Sequence, residues 1–156
     1  MHTFQKAVVP LPFIAGQSRL TPAASGDTLA LVNLDRAQES LKAAQLCLQE
    51  GLVNSAASRA YYAMFQAAQV ALETAGFTRT DWSHPGLQAA FTTELIYRRK
   101  IYPAVFRDYL SHGLGVRRAA DYGLSGVSKK IAQRLIHRAA SFVAAVEEKG
   151  RHESTS

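Results

Sequence analysis

The sequence predicts an all-α protein: a bundle of four to five helices in up-and-down order. Three observations predict it. Apolar residues recur at three- and four-residue steps through most of the chain. Glycine and proline fall where such stripes begin or end. No sustained alternation of apolar and polar residues competes with the helical period.

The chain has 156 residues, of which 47% are hydrophobic and 19% charged. That length and composition suit one folded domain with a real core. Residues 1–26 contain Pro10, Pro12, Gly16, Pro22 and Gly26 and read as an irregular N-terminal arm. Its apolar patch from Ala7 to Ala15 is interrupted by two prolines, which argues against a secretion signal. Residues 27–150 read as the helical domain and 151–156 as a disordered polar tail.

The first helix is predicted from a cap at Asp27 or Thr28 to about Glu50, where Gly51 is placed to end it. Ala30, Leu34, Ala37, Leu41, Ala44 and Leu48 make its apolar stripe. The second runs from a cap at Asn54 or Ser55 to Ala75, with Tyr61, Met64, Phe65, Ala68 and Leu72 inward. Its many alanines favour helix and permit close approach of a neighbour. A third begins near His84 and Pro85 and carries Leu87, Phe91 and Leu95 until Pro103 interrupts it. A fourth carries Phe106, Tyr109 and Leu110, with Gly113 and Gly115 weakening its far end. The last spans roughly Val127 to Lys149, with Ile131, Leu135, Ala139, Phe142 and Val146 inward.

The net charge of +6 is concentrated late in the chain. Residues 98–138 hold ten Lys/Arg against two Asp/Glu, whereas residues 1–97 hold six against seven. If the fold gathers the late cations, they make a site for phosphate backbones or an acidic partner; otherwise they are a solvated basic face. The single cysteine, Cys47, excludes an intramolecular disulfide, fits a reducing cytoplasm and reads as a small buried hydrophobe. No run is long and apolar enough to span a membrane. Phosphate-loop, dinucleotide and zinc-protease signatures are missing, and no two histidines have the spacing of a helical metal site. The expectation is therefore no cofactor and no metal.

Three groups of residues carry candidate chemistry. Arg107 and His112 form R-x4-H, a cation that can hold a phosphate with an imidazole that can move a proton. Residues five apart leave one helical face, so this pair works only if Gly113 and Gly115 loosen the turn. Arg117, Arg118, Asp121 and Tyr122 form a second group. Its plain role is an intrahelical ion pair, and its functional role is a phosphate-holding arginine oriented by Asp121 with Tyr122 stacking on a base. The third is Arg59 with Tyr62, three apart on one face; an internal polar bridge between helices is the plain reading and nucleotide binding the functional one. His84, at a helix start, reads plainly as a cap or a core hydrogen-bonder and functionally as a further nucleotide-binding residue. Trp82 reads as a packing anchor.

Together the run Arg59-Ala60-Tyr61-Tyr62-Ala63-Met64-Phe65, then His84 to Leu87 with Phe91, then Arg117 to Asp121-Tyr122-Gly123 resembles a HEPN domain over residues 30–148. The resemblance implies a helical bundle, usually a homodimer. It implies either a metal-independent endoribonuclease, often a toxin, or a module that partners a minimal nucleotidyltransferase. Ribonuclease members carry R-x4–6-H late in the bundle. Here Arg117 takes the arginine's place, and the histidine's place falls at Tyr122. A phenol titrates near pH 10 and is a poor proton shuttle at neutral pH. Three readings stay open: a nucleotide- or RNA-binding module of a toxin–antitoxin or nucleotidyltransferase-associated system, a ribonuclease using Arg107, His112, Arg117 or Tyr122, and a structural dimerisation domain.

Overall fold

The computed structural model describes residues 26–155, with side chains from Leu34 onward. The arm expected over 1–26 lies outside it apart from Gly26, and so do the side chains of Asp27 and Thr28, either of which was expected to cap the first helix. Five α-helices and no strand occur among the described residues: α1 (Gly26–Gln49), α2 (Val53–Thr74), α3 (His84–Ala90), α4 (Val105–Tyr122) and α5 (Lys129–Ser154). α3 continues into a π-helical stretch, Phe91–Arg98. No helix among them is long and apolar enough to cross a membrane.

Local chemistry explains the ends. Gly51 and Gly76 take positive φ after α1 and α2, a conformation that costs glycine little. Ser83 caps α3, its Oγ accepting from the Gly86 amide at 3.1 Å, and Pro85 occupies the first turn. Ser128 caps α5 in the same way through the Ile131 amide. Neither cap predicted for α2 is used. α2 starts at Val53, and the Asn54 side chain instead accepts from the Val127 amide at 2.9 Å, pinning the α4–α5 loop to the start of α2. α5 also runs on to Ser154, so residues 151–154 are helical where a disordered tail over 151–156 was expected.

α2 is the central helix and packs against α1, α4 and α5. Its predicted inner face is correct: Tyr61, Met64, Phe65, Ala68 and Leu72 are all buried. Gly113 does not weaken α4 but sits where α4 meets α2. A Cβ there would come 2.7 Å from Met64 Cε and 3.2 Å from Tyr61 Cδ1. Phe91, Tyr102, Phe106 and Phe142 stack into an aromatic core, with Phe106 and Phe142 centroids 4.5 Å apart. The wider π turn lets Phe91, Leu95 and Ile96 all reach that core. Ile131, predicted inward, is 38% exposed at the first turn of α5.

The helix order places the polar residues. α4 runs antiparallel to α2, since Ser58 meets Asp121 and Met64 meets Gly113. Residues 75–83 return along the bundle, so α3 begins beside Tyr61 and Phe65 rather than at the end of α2. The first half of α2, the start of α3 and the last turns of α4 thus converge.

Candidate phosphate-binding cluster at the α2–α3–α4 junction

Tyr61 lies on the buried face of α2, and its ring is fully enclosed. A buried phenol needs a partner for its O–H. The partner is His84, whose Nδ1 lies 2.7 Å from the Tyr61 hydroxyl. Ser83 and Pro85 start α3 so that His84 is its first residue. The imidazole also packs on Phe65, with centroids 4.7 Å apart.

Burial pushes the Tyr61 hydroxyl up to about 12. Burial first, then the charges of Arg117 and Arg118, push His84 below its ordinary value. At neutral pH the pair is therefore a protonated phenol and a neutral imidazole. The arrangement that suits both is Tyr61 O–H donating to Nδ1, which leaves the ring proton on Nε2. The Gln88 amide also acts on Tyr61, although its Nε2 is buried without a hydrogen-bond partner of good geometry.

Arg117 is the second anchor. Its Nη2 donates to the Tyr62 hydroxyl at 3.0 Å, and its Nε lies 3.0 Å from Asp121 Oδ2. The Nε contact has ion-pair distance without hydrogen-bond alignment, so that N–H is left unsatisfied in a geometric sense. Ser58 Oγ donates to the same Asp121 oxygen at 3.2 Å. The guanidinium lies 5.4 Å from the Tyr62 ring centre and 5.5 Å from that of Tyr122. Arg59 covers Tyr62 at 5.0 Å. One cation is thus held at its edge by a carboxylate and a phenol, with two rings beside it. A guanidinium has five N–H donors, and these partners engage only its Nε and Nη2 side.

The fold brings together Arg59, Tyr62, His84, Arg117, Asp121 and Tyr122, and Arg118 acts on His84 and Tyr61 through its charge. It does not bring in Arg107 and His112. α4 stays helical through Gly113 and Gly115, so these two point about 140° apart. Arg107 donates to the Tyr97 hydroxyl at 2.8 Å, and His112 is exposed. The late cations do not share one groove either. Arg98 pairs with Glu94, and Arg99 donates to the Ala75 carbonyl at the far end of α2. Ser58 and Ala75 are about 25 Å apart along that helix. Arg138 lies over Tyr109. Ser58 was not singled out from sequence, and Tyr61 was placed inward on α2 and in the Arg59–Phe65 run but given no role at the site. For Tyr61 the signal was present, a hydroxyl on an otherwise apolar face. Among the described residues no group of three His, Cys, Asp or Glu could hold a metal ion.

Comparison with known proteins gives two findings. A family model described as HEPN domain matches residues 31–149. The UPF0332 protein glr0978 of Gloeobacter violaceus is 33% identical over 112 residues, which is 70% of this chain and 86% of that protein.

Proposed function

The chain belongs to the HEPN domain family, and from that premise we propose that it is a nucleotide- or RNA-binding domain whose phosphate-holding group is Arg117. The observation that carries the reading is the guanidinium fixed between Asp121 and Tyr62 beside two aromatic rings. Such an arginine is oriented before a ligand arrives, so less is lost on ordering it. Arg59 and Arg118 add positive charge, the exposed Tyr122 ring offers a face for a base, and the neutral His84 presents an Nε2–H donor suited to a phosphate oxygen. In this reading the domain is a cytoplasmic homodimer that serves a toxin–antitoxin pair or a minimal nucleotidyltransferase, which co-purification tests directly.

Fluorescence anisotropy with labelled single-stranded RNA, and with a labelled adenine nucleotide, tests the binding. Arg117→Ala and Tyr122→Ala should each weaken it by about tenfold. Arg107→Ala and His112→Ala should change it little. Equal affinity in all four variants and the parent removes the cluster from function, and no affinity at all leaves a dimerisation domain.

A second reading, the metal-independent ribonuclease, is favoured by one observation: the imidazole beside Arg117 is His84, supplied by α3. Binding ranks first because Tyr61 engages Nδ1 of His84, and with that O–H donating, the remaining ring nitrogen carries a proton and does not accept one. Incubation of RNA with the protein in a chelator distinguishes the two. Cleavage that survives His112→Ala and is lost in His84→Ala supports the ribonuclease.

A further inference from the structure

At the far end of α2 from the arginine cluster lies a cavity of about 410 Å³, the size of a small-molecule site. Its walls come from α1, the last turns of α2 and α5, and the loop after the π-helical stretch. Leu34, Val70, Ala71, Ile101 and Val146 give it an apolar lining. Ala75, also in its wall, is about 25 Å from Ser58 along α2, so phosphate binding at Arg117 does not use it.

Two features set it apart from a packing defect. The first is Tyr102. Its ring stacks on Phe91 and Phe106, and the residue is 7% exposed, yet its hydroxyl makes no hydrogen bond among the described residues. A buried phenol ordinarily has a partner. Burial and then the charge of Glu153 push the hydroxyl up, so it keeps its proton. Tyr102 and Glu153 both line the cavity, and phenol and carboxylate thus share it. The second feature is Gly150, inside α5, where glycine is a poor helix former. Val146, four residues before it, and Ser154, four after, line the cavity too, so this face of α5 looks into it. A Cβ added at Gly150 meets nothing within 4 Å. Glycine keeps the space open where a side chain would enter it.

The charges select the ligand. Asp35, Glu147 and Glu153 line the cavity against Lys149 and Arg151, in a chain of net charge +6. Glu153 is seven residues on from Val146 and shares its face of α5, whereas Lys149 and Arg151 stand about 100° to either side of Gly150. Arg151 lies 3.8 Å from Glu147, and Glu153 has no ion-pair partner among the described residues. We propose that this cavity binds an organic amine, its apolar body on the lining and its ammonium group received by the Glu153 carboxylate and the Tyr102 hydroxyl oxygen. An ammonium brings three donors to these acceptors, and an anionic ligand would meet like charge. The site is separate from the arginine cluster and does not depend on whether that cluster holds RNA.

Isothermal titration calorimetry of the full chain with 4-phenylbutylamine and with 4-phenylbutyrate tests this. The amine should bind at least about tenfold tighter than the acid. Tyr102→Phe keeps the stacked ring and should weaken the amine by about fivefold. Glu153→Gln should weaken it by about threefold, because that carboxylate is solvated. Gly150→Leu should fill the cavity and lower the amine's affinity by at least about tenfold, while the melting temperature rises because leucine is the better helix former. No binding of the amine, equal binding of amine and acid, or an amine affinity untouched by Gly150→Leu each overturns the proposal. So does a parent dimer that Gly150→Leu dissociates in sedimentation, since a second copy then fills the cavity.

Discussion

At the scale of single residues, the cluster works because burial and charge set protonation states. His84 has a depressed folded value, so above pH 6.5 it is neutral in both folded and unfolded chains. Between 6.5 and that lower value the unfolded chain binds the extra proton, and stability falls as pH falls. Tyr61 gives the mirror image: its hydroxyl is held at about 12, so stability falls as pH rises above 10. His84→Gln keeps a hydrogen-bonding group but cannot titrate. Urea unfolding at a series of pH values should therefore show a flatter profile for His84→Gln than for the parent below pH 6.5. Identical profiles would mean that His84 is as solvated in the fold as outside it. Arg117, Asp121 and Tyr122 were legible as a unit because their spacing on one helix defines their neighbours. The Tyr61–His84 bond joins residues 23 apart and depends on where the 75–83 loop sets α3 down. No local pattern encodes that.

At the scale of elements, the helices were legible because their stripes follow one period, while caps and crossings were not. Asn54 has the chemistry of a helix cap and is used to tie a loop. Gly113 has the chemistry of a weak point and is used for a close crossing, since its missing Cβ is what lets α4 approach Met64 and Tyr61. The two α4 glycines therefore separate crossing from propensity. Gly115 has nothing within 4 Å of a built Cβ, so Gly115→Ala should stabilise the fold by about 0.5–1 kcal/mol. Gly113→Ala gains the same propensity but presses on the Tyr61 ring, itself held by His84, and should cost about 1–3 kcal/mol net. Chemical unfolding of both variants measures the difference. A Gly113→Ala protein as stable as Gly115→Ala would show that Met64 and Tyr61 move aside freely.

At the scale of the whole molecule, sequence and fold part over charge. The excess of cations in residues 98–138 is real, but sequence proximity is not spatial proximity in a bundle whose helices run the length of the domain. Arg98 and Arg99 are spent at the far end of α2, and Arg107 on Tyr97. Three guanidinium groups, those of Arg59, Arg117 and Arg118, remain at the cluster. This difference can be measured, because each phosphate neutralised releases counterions and sets the slope of log affinity against log salt. For single-stranded RNA, three contacts give a slope of about −2, whereas engagement of the whole late segment, a net eight charges, gives about −6. Anisotropy titrations between low and physiological salt should therefore return the shallow value, and Arg118→Ala should make it shallower by about 0.7. A slope steeper than about −4 would require the dispersed cations to contact the same strand, and the site would then be a path along the bundle rather than a point at its end.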